Sequence, residues 1–376
     1  MTPIYLDYQA TTPLAPEAAE AMRPWLDDKF ANPHSAHRLG REAAATVEVA
    51  REQVLASLHD GDVAGRLLFT SGATEAINWA LKGTLARLPE KRRRIVTLAS
   101  EHAAVLDTVE WLSRMGAEVE VLPVGPDGLV DLDLAAARID ERTGLVAAML
   151  VNNEIGVIQP IARLAELARA KGALFLCDSV QGLGRVPLPL ESCDLVAVSA
   201  HKVHGPKGVG ALWVRDGVAL DPLIHGGGQE GGIRSGTLSP ALCAGFGAAA
   251  KLLVERSEED HAHVGKLAEI ARARMQGWLL NGSPTARYAG NLNLRRSRID
   301  SSRLIADVRQ VAFSAGSACA SGSGRTSHVL RALGLDDSGA RSSIRLGFGR
   351  YTQEDDLIRA LDLIDQAADR QPVLAA

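Results

Sequence analysis

The sequence predicts an α/β protein: a large, doubly wound domain on a mostly parallel sheet, with a smaller α+β domain beside it. Three observations predict this. Short apolar runs alternate with longer helical patterns through the first two thirds of the chain, as strands buried on both faces of a parallel sheet do. A chain of 376 residues, 46% of them hydrophobic, has room for two domains and a large core. Near Glu255 the alternation gives way to a charged helix and isolated strands.

Taken in order, the strand candidates of the large domain are Leu67–Thr70, Ile95–Leu98, Leu145–Val151, Ala173–Leu176, Leu195–Val198 and Gly210–Val214. Between them, Val105, Val109 and Leu112 mark one helical stripe; Ile161, Leu164 and Leu167–Ala168 mark another. The window Ala241–Val254 is rich in Ala and Gly and broken by Lys251, so it reads as a packed helix and not a membrane span. A charged helix follows from Glu258 to Met275, then a strand at Asn291–Leu294, a small-residue stretch at Ser314–Gly324 and a strand at Ser343–Leu346. The closing helix has Leu357, Leu361 and Ile364 at helical spacing, and Thr352-Gln353-Glu354-Asp355 predicts a capping-box start. The expected division is 14–258 for the large domain, with 1–13 and 259–376 forming the small one.

Composition excludes several classes. A net charge of −4 gives no footprint for nucleic acid, and Lys91-Arg92-Arg93-Arg94 reads as a solvated loop. Met1 to Ala10 lacks the charged-then-apolar pattern of a secretory signal. Four cysteines (Cys177, Cys193, Cys243, Cys319) make neither a disulfide framework nor a metal spacing. A cytoplasmic protein with no membrane partner is expected.

Chemistry concentrates in a few motifs. Ser199-Ala200-His201-Lys202-Val203-His204-Gly205-Pro206 places a lysine at the end of an apolar strand, where desolvation lowers an amine's pKa and frees it to attack a carbonyl. Such an amine can form a Schiff base with an aldehyde cofactor such as pyridoxal phosphate. Thr70-Ser71-Gly72-Ala73-Thr74-Glu75 leads from a strand into a helix starting near Ala76. It offers either a phosphate-binding helix N-terminus or an ordinary cap by Ser71 or Thr74. Asp178 closes a strand at the sheet edge where ligands bind in this architecture; it is either a partner for a pyridine nitrogen or a turn-forming Asp. His102 opens a helix and is either structural or placed to stack on a ring and move a proton. A zinc pair at His201 and His204 lacks a third ligand at recognisable spacing. Cys319 sits among small residues, which predicts a mobile loop with an accessible thiol, whereas Cys177, Cys193 and Cys243 lie in apolar surroundings. Arg345, inside a short strand, forks either a ligand carboxylate or a structural one.

Together these motifs resemble the cysteine desulfurases of the NifS/IscS type, in the class V branch of the fold type I pyridoxal-phosphate enzymes. The resemblance runs nearly end to end. It rests on Tyr5-Leu6-Asp7-Tyr8-Gln9-Ala10-Thr11-Thr12-Pro13, Asn32-Pro33-His34-Ser35, the Thr70–Glu75 and Ser199–Lys202 motifs and Val151-Asn152-Asn153-Glu154-Ile155-Gly156. Further on it includes His225-Gly226-Gly227-Gly228-Gln229-Glu230, Arg234-Ser235-Gly236-Thr237 and Gly316-Ser317-Ala318-Cys319.

The resemblance implies pyridoxal 5'-phosphate bound covalently to Lys202, with His102 stacked on its ring, Asp178 on the pyridine nitrogen and Gln181 on the phenolic oxygen. It implies a phosphate held by Thr74, Ser199, His201 and the Ala73 amide, with Thr237 reaching in from the second subunit of a homodimer. Asn153 and Arg345 would bind the carboxylate of L-cysteine. Cys319 would take the sulfur as a persulfide and pass it to a protein acceptor such as an iron–sulfur scaffold, leaving alanine. The stretch from Ser317 to His328 resembles the long-loop group. The chain stops at Ala376, shorter than the housekeeping members whose C-terminal tail docks the scaffold, so the acceptor stays open. A selenocysteine lyase, another class V lyase or a non-catalytic sulfur-transfer adaptor are the alternatives.

Overall fold

The computed structural model describes residues 3–58, 63–316 and 326–371. Seven strands form the main sheet, in the spatial order Gly65–Thr70, Gly210–Arg215, Leu195–Ser199, Leu174–Asp178, Thr143–Met149, Arg94–Leu98 and Glu118–Leu122. All pair in parallel except Gly210–Arg215, which is antiparallel to both of its neighbours. Alternate side chains of the strands enter different cores, as a two-sided sheet requires. Phe69, Val146, Phe175, Val196 and Trp213 pack in one. Leu68, Leu145, Leu176, Leu195 and Leu212 pack in the other. The helices Arg38–Ala56 and Ile161–Ala170 supply apolar faces to the first core, and Ala73–Arg87 and Ala103–Arg114 to the second.

A third core joins Leu6 to the last third of the chain. It packs the helices Ser257–Arg274 and Glu354–Arg370 on an antiparallel sheet of Ser343–Gly347, Asn291–Arg295 and Leu279–Leu280. Beside it, Ile4–Tyr5 pairs in parallel with Val311–Ala312.

Several expectations need correction. The edge strand Glu118–Leu122 was not predicted, because its Glu-Val-Glu-Val-Leu alternation leaves it half exposed. The strand expected to reach Val151 stops at Met149. The helix after Thr70 begins at Ala73, one turn earlier than expected. The closing helix has no capping box: Gln353 is its N-cap without a side-chain bond, and Thr352 Oγ1 instead accepts from the Gly349 amide at 3.1 Å. The basic run is not a solvated loop either. Arg94 starts a strand, is 6% exposed and pairs with Glu118, Glu120 and Asp140.

Candidate active site

The parallel strands end at a cavity of about 550 Å³, the position a doubly wound sheet gives its ligand. Lys202 enters it from the short turn Ala200–Lys202, directly after the strand Leu195–Ser199. Its Nζ donates to the carbonyls of Gln9 at 2.6 Å and Ala10 at 2.8 Å. Burial, helped by the charges of Arg185 and Arg345, pushes the amine down to about 8. A substantial neutral fraction near neutrality is what a carbonyl-capturing lysine needs.

Asp178 ends the strand Leu174–Asp178 and is 5% exposed. The turn-forming reading holds, since its Oδ1 accepts from the Val180 amide at 3.0 Å, and the residue also lines the cavity. Burial raises its pKa, and the nearby His102 and Lys202 oppose that rise. His102 is likewise both structural and exposed to the cavity. It N-caps the helix Ala103–Arg114, with Nδ1 accepting from the Ala104 amide at 3.0 Å, which places the proton of the neutral ring on Nε2. Burial lowers its pKa, so the neutral form is favoured.

Gly72, Ala73 and Thr74 bring the start of the helix Ala73–Arg87 to the same cavity. Neither Ser71 nor Thr74 caps this helix; Gly72 stands at the N-cap with no side-chain bond. The amides of Ala73 and Thr74 therefore keep an open N-terminus, suited to an anion. The turn is held from behind. Glu75 Oε2 accepts from the Ser71 amide at 2.7 Å, and Arg234 grips the same carboxylate with two bonds. Gly210 explains how the antiparallel strand passes so close: a Cβ there would lie 2.8 Å from the Gly72 backbone and 2.6 Å from the Val198 carbonyl.

Ser199, His201, Gln181, Asn153 and Arg345 also line the cavity. His201 bonds Thr11 Oγ1 through Nδ1 at 3.2 Å; burial and the charge of Lys202 push its ring down to about 4. Gln181 donates to the Gln9 carbonyl at 2.9 Å and accepts from Arg185. Arg345 is 1% exposed and realises the structural reading, pairing with Asp7 at 2.7 Å and donating to the Asn153 carbonyl at 3.0 Å. Its Nε and Asn153 Oδ1 remain buried without partners. Thr237 is exposed and lies outside the cavity lining. Cys319 falls outside the described residues.

The residues that match the aminotransferase class-V family model run from 4 to 359. The chain belongs to the class-V aminotransferase family. Among curated relatives of this family member is the cysteine desulfurase IscS of Rickettsia bellii (strain OSU 85-389), 44% identical over 371 residues, covering 96% of this chain and 90% of the relative. That of Rickettsia africae (strain ESF-5) is 42% identical over 377 residues, covering 98% and 92%. Among solved structures, a NifS-like protein superposes with a TM-score of 0.91 at 34% identity, covering 98% of this chain and all of that one. SspA in complex with cysteine gives 0.82 at 33% identity, covering 93% and 99%.

For this class-V family member, residue-by-residue reading had overlooked the N-terminal segment. Gln9, Ala10 and Thr11 line the cavity and hold Lys202 and His201. The Tyr5–Pro13 motif was the available signal, but nothing in it carries chemistry on its own. Lys207 and Gly208 also line the cavity. His204 Nδ1 engages the Pro13 carbonyl at 2.9 Å, and the ring packs edge-on against Tyr351 and Tyr8. Among the described residues no group of three metal-ligating side chains comes together, and no helix is long and apolar enough to cross a membrane.

Proposed function

We propose that this protein is a pyridoxal-phosphate-dependent cysteine desulfurase, converting L-cysteine to L-alanine and retaining the sulfur as a persulfide on Cys319. The observation that carries the proposal is the shared cavity: a lysine amine pushed to about 8, a buried Asp178 carboxylate and an open helix N-terminus all line it.

The residues fit the cofactor. Lys202 would hold its aldehyde carbon, the amides at Ala73 and Thr74 with Ser199 and His201 its phosphate, and Asp178 its ring nitrogen, with His102 against the ring and Gln181 beside the phenolic oxygen. When bound, pyridoxal phosphate supplies an electron sink for breaking bonds at the substrate's α-carbon.

The chain's own groups do the rest. Asp178, beside a protonated ring nitrogen, would be held in its carboxylate form against the burial that otherwise raises its pKa. A phosphate beside His201 likewise opposes the burial that keeps that ring neutral. Arg345 Nε–H is a buried donor without a partner, and Arg345 would share its charge between a substrate carboxylate and Asp7; Asn153 would reach the same carboxylate through its Nδ2–H. Lys202, neutral near pH 8, is able to take and return a proton when displaced. His102 offers Nε2–H on the cavity side, its Nδ1 being fixed by Ala104.

Sulfur transfer needs a thiolate. Cys177, Cys193 and Cys243 are buried. The thiol of Cys177 is held well above its ordinary value by Cys193 and burial, and burial pushes that of Cys243 up to about 12. Neither is a nucleophile at physiological pH, which supports Cys319 as the carrier. An exposed Thr237, outside its own chain's cavity, supports a homodimer in which it reaches the partner's phosphate site. We assign the protein to the cytoplasm, with iron–sulfur assembly or another sulfur-transfer pathway downstream and a protein acceptor such as an iron–sulfur scaffold. We divide it into 14–258 and 1–13 with 259–376, in keeping with the separate core around Leu6 and Phe348.

The test is a pulse of L-cysteine on the holoenzyme without reductant, followed by alanine assay and peptide mass spectrometry. One added sulfur on the Cys319 peptide with alanine released is expected. Turnover of selenocysteine but not cysteine would replace the reading with a selenocysteine lyase.

A further inference from the structure

A second cavity, of about 240 Å³, adjoins the first, and Lys202 lines both. Three arginines face it: Arg185 from the turn after Asp178, Arg287 before the strand Asn291–Arg295, and Arg350 after the strand Ser343–Gly347. They meet one carboxylate, Asp260, which Arg350 grips through Nε at 2.9 Å and Nη2 at 2.6 Å.

Two N–H groups in this cluster are spare. Arg350 Nη1 is buried without a partner, on a side chain 2% exposed. Arg287, 8% exposed, spends Nη1 and Nη2 on the carbonyls of Asn281, Ser283, Ile155 and Asn291, leaving Nε unpartnered. Arg185 donates to the Lys202 carbonyl at 2.7 Å and stacks on Tyr288 at 5.4 Å. Neither Arg185 nor Arg287 has a carboxylate within ion-pair distance among the described residues, whereas the buried Arg94 and Arg345 both do. An unpaired charge taken out of water is costly, and proteins ordinarily pair it. The strain shows in Arg287, whose guanidinium burial pushes down to about 10. The His204 ring in the wall adds no charge, since burial pushes it down to about 4.

We propose that this cavity binds a compact oxyanion of sulfate or phosphate size, held by Arg185, Arg287 and Arg350 as the missing counterion. The site is separate from the cofactor's phosphate cradle, which uses Ala73, Thr74, Ser199 and His201 in the other cavity. Access exists: Leu183, Gly184, Val186, Leu253 and His261 are shared with an adjoining groove of about 620 Å³. A multiply charged anion suits a fork of guanidiniums better than chloride does.

The experiment uses the holoenzyme, whose phosphate cradle is filled, in a chloride buffer. It is titrated separately with sulfate and with inorganic phosphate, read by calorimetry and by melting temperature. Saturable binding of one anion per chain by at least one of the two, with a rising melting temperature, is expected. Arg287→Gln should weaken that binding at least tenfold. Val186→Glu, which tethers a carboxylate in the cavity wall, should abolish it and raise the melting temperature without added anion; it decides the matter alone if Arg287→Gln does not fold. Absence of saturable binding by both anions, or binding unchanged in Val186→Glu, overturns the proposal. Crystals soaked in selenate give an independent reading: an anomalous peak beside Arg287 and Arg350 supports the site, and peaks confined elsewhere refute it. None of these outcomes depends on desulfurase activity, so the proposal stands or falls apart from that assignment.

Discussion

The two cavities that meet at Lys202 use the same kinds of charged residue and balance them differently. In the larger one, cations and anions interleave: Arg345 pairs with Asp7, and Asp178 lies near His102 and Lys202, whose charges oppose the rise that burial imposes on its carboxyl. In the smaller one, three guanidiniums face a single carboxylate, Asp260, with which Arg350 alone pairs among the described residues. A mixed site can hold a ligand of mixed charge and move protons within it. A one-signed site can hold only a counterion. The difference separates a place for chemistry from a place for binding, and substitutions on the two sides should therefore fail in different ways.

The largest effect is expected at the shared residue. Lys202→Ala should lose alanine formation to background, and borohydride reduction should no longer fix cofactor to the chain. Reduced cofactor mapped to the Lys207 peptide in the parent protein would move the reactive amine elsewhere.

Cys319→Ala comes next. It should keep its cofactor and its spectral response to L-cysteine while releasing almost no alanine and gaining no sulfur in intact-mass measurements. Ser substituted at Cys177, Cys193 or Cys243 should leave persulfide formation intact at a modest cost in stability. Sulfur that survives loss of Cys319 and vanishes with one of the others would reassign the carrier.

A smaller loss is expected from Asp178→Ala, about 10²-fold or more in turnover, on the order of 3 kcal/mol of transition-state stabilisation. Turnover close to the parent's would place Asp178 among turn-formers only.

Arg185→Gln sharpens the comparison from the other side. Capture of free cofactor by the stripped protein requires a neutral Lys202, so its rate should rise with pH through about 8. Removing the Arg185 charge should move that rise to higher pH. An unmoved profile would uncouple the two cavities.

The smallest effect concerns His204, whose folded-state pKa of about 4 lies below its ordinary value. As pH falls below about 6.5 the unfolded chain takes a proton that the folded one refuses, so stability present above that range is lost on the way to pH 4. His204→Asn, which tolerates the left-handed φ of 67° at this position, should flatten the dependence by roughly 1 kcal/mol near pH 5.5. Melting curves across that range, identical in slope for both proteins, would contradict the assignment.

Much of the larger cavity was legible because its groups sit at strand ends. Lys202 and Asp178 each close an apolar run, and a parallel sheet delivers such ends to one edge whatever the helices do. His102 and Thr74 follow strands by a few residues and were legible for the same reason. What escaped has a physical cause in each case. Gln9 and Ala10 act through backbone carbonyls, which no side-chain pattern records. Glu75 and Arg234 brace the helix start from 159 positions apart. Glu118–Leu122 is an edge strand and carries the alternation of a half-solvated surface. The arginine cavity had no motif at all: Arg185, Arg287 and Arg350 belong to three unrelated connecting segments, and only folding makes them neighbours.

The segment from Asp7 to Thr12 stitches the chain's opening residues to its later ones. Lys202 Nζ reaches back 193 positions to Gln9, and Arg345 reaches back 338 to Asp7. At ribosomal speeds these partners emerge on the order of tens of seconds apart. The helices and the central sheet can form while synthesis continues, but the clasp between Asp7 and Arg345 must wait for the strand Ser343–Gly347. Such distant closures are also the slow ones during refolding. The Arg345 side of the cavity is thus timed by the strand Ser343–Gly347, and a nascent protein has its sheet well before it has its whole site.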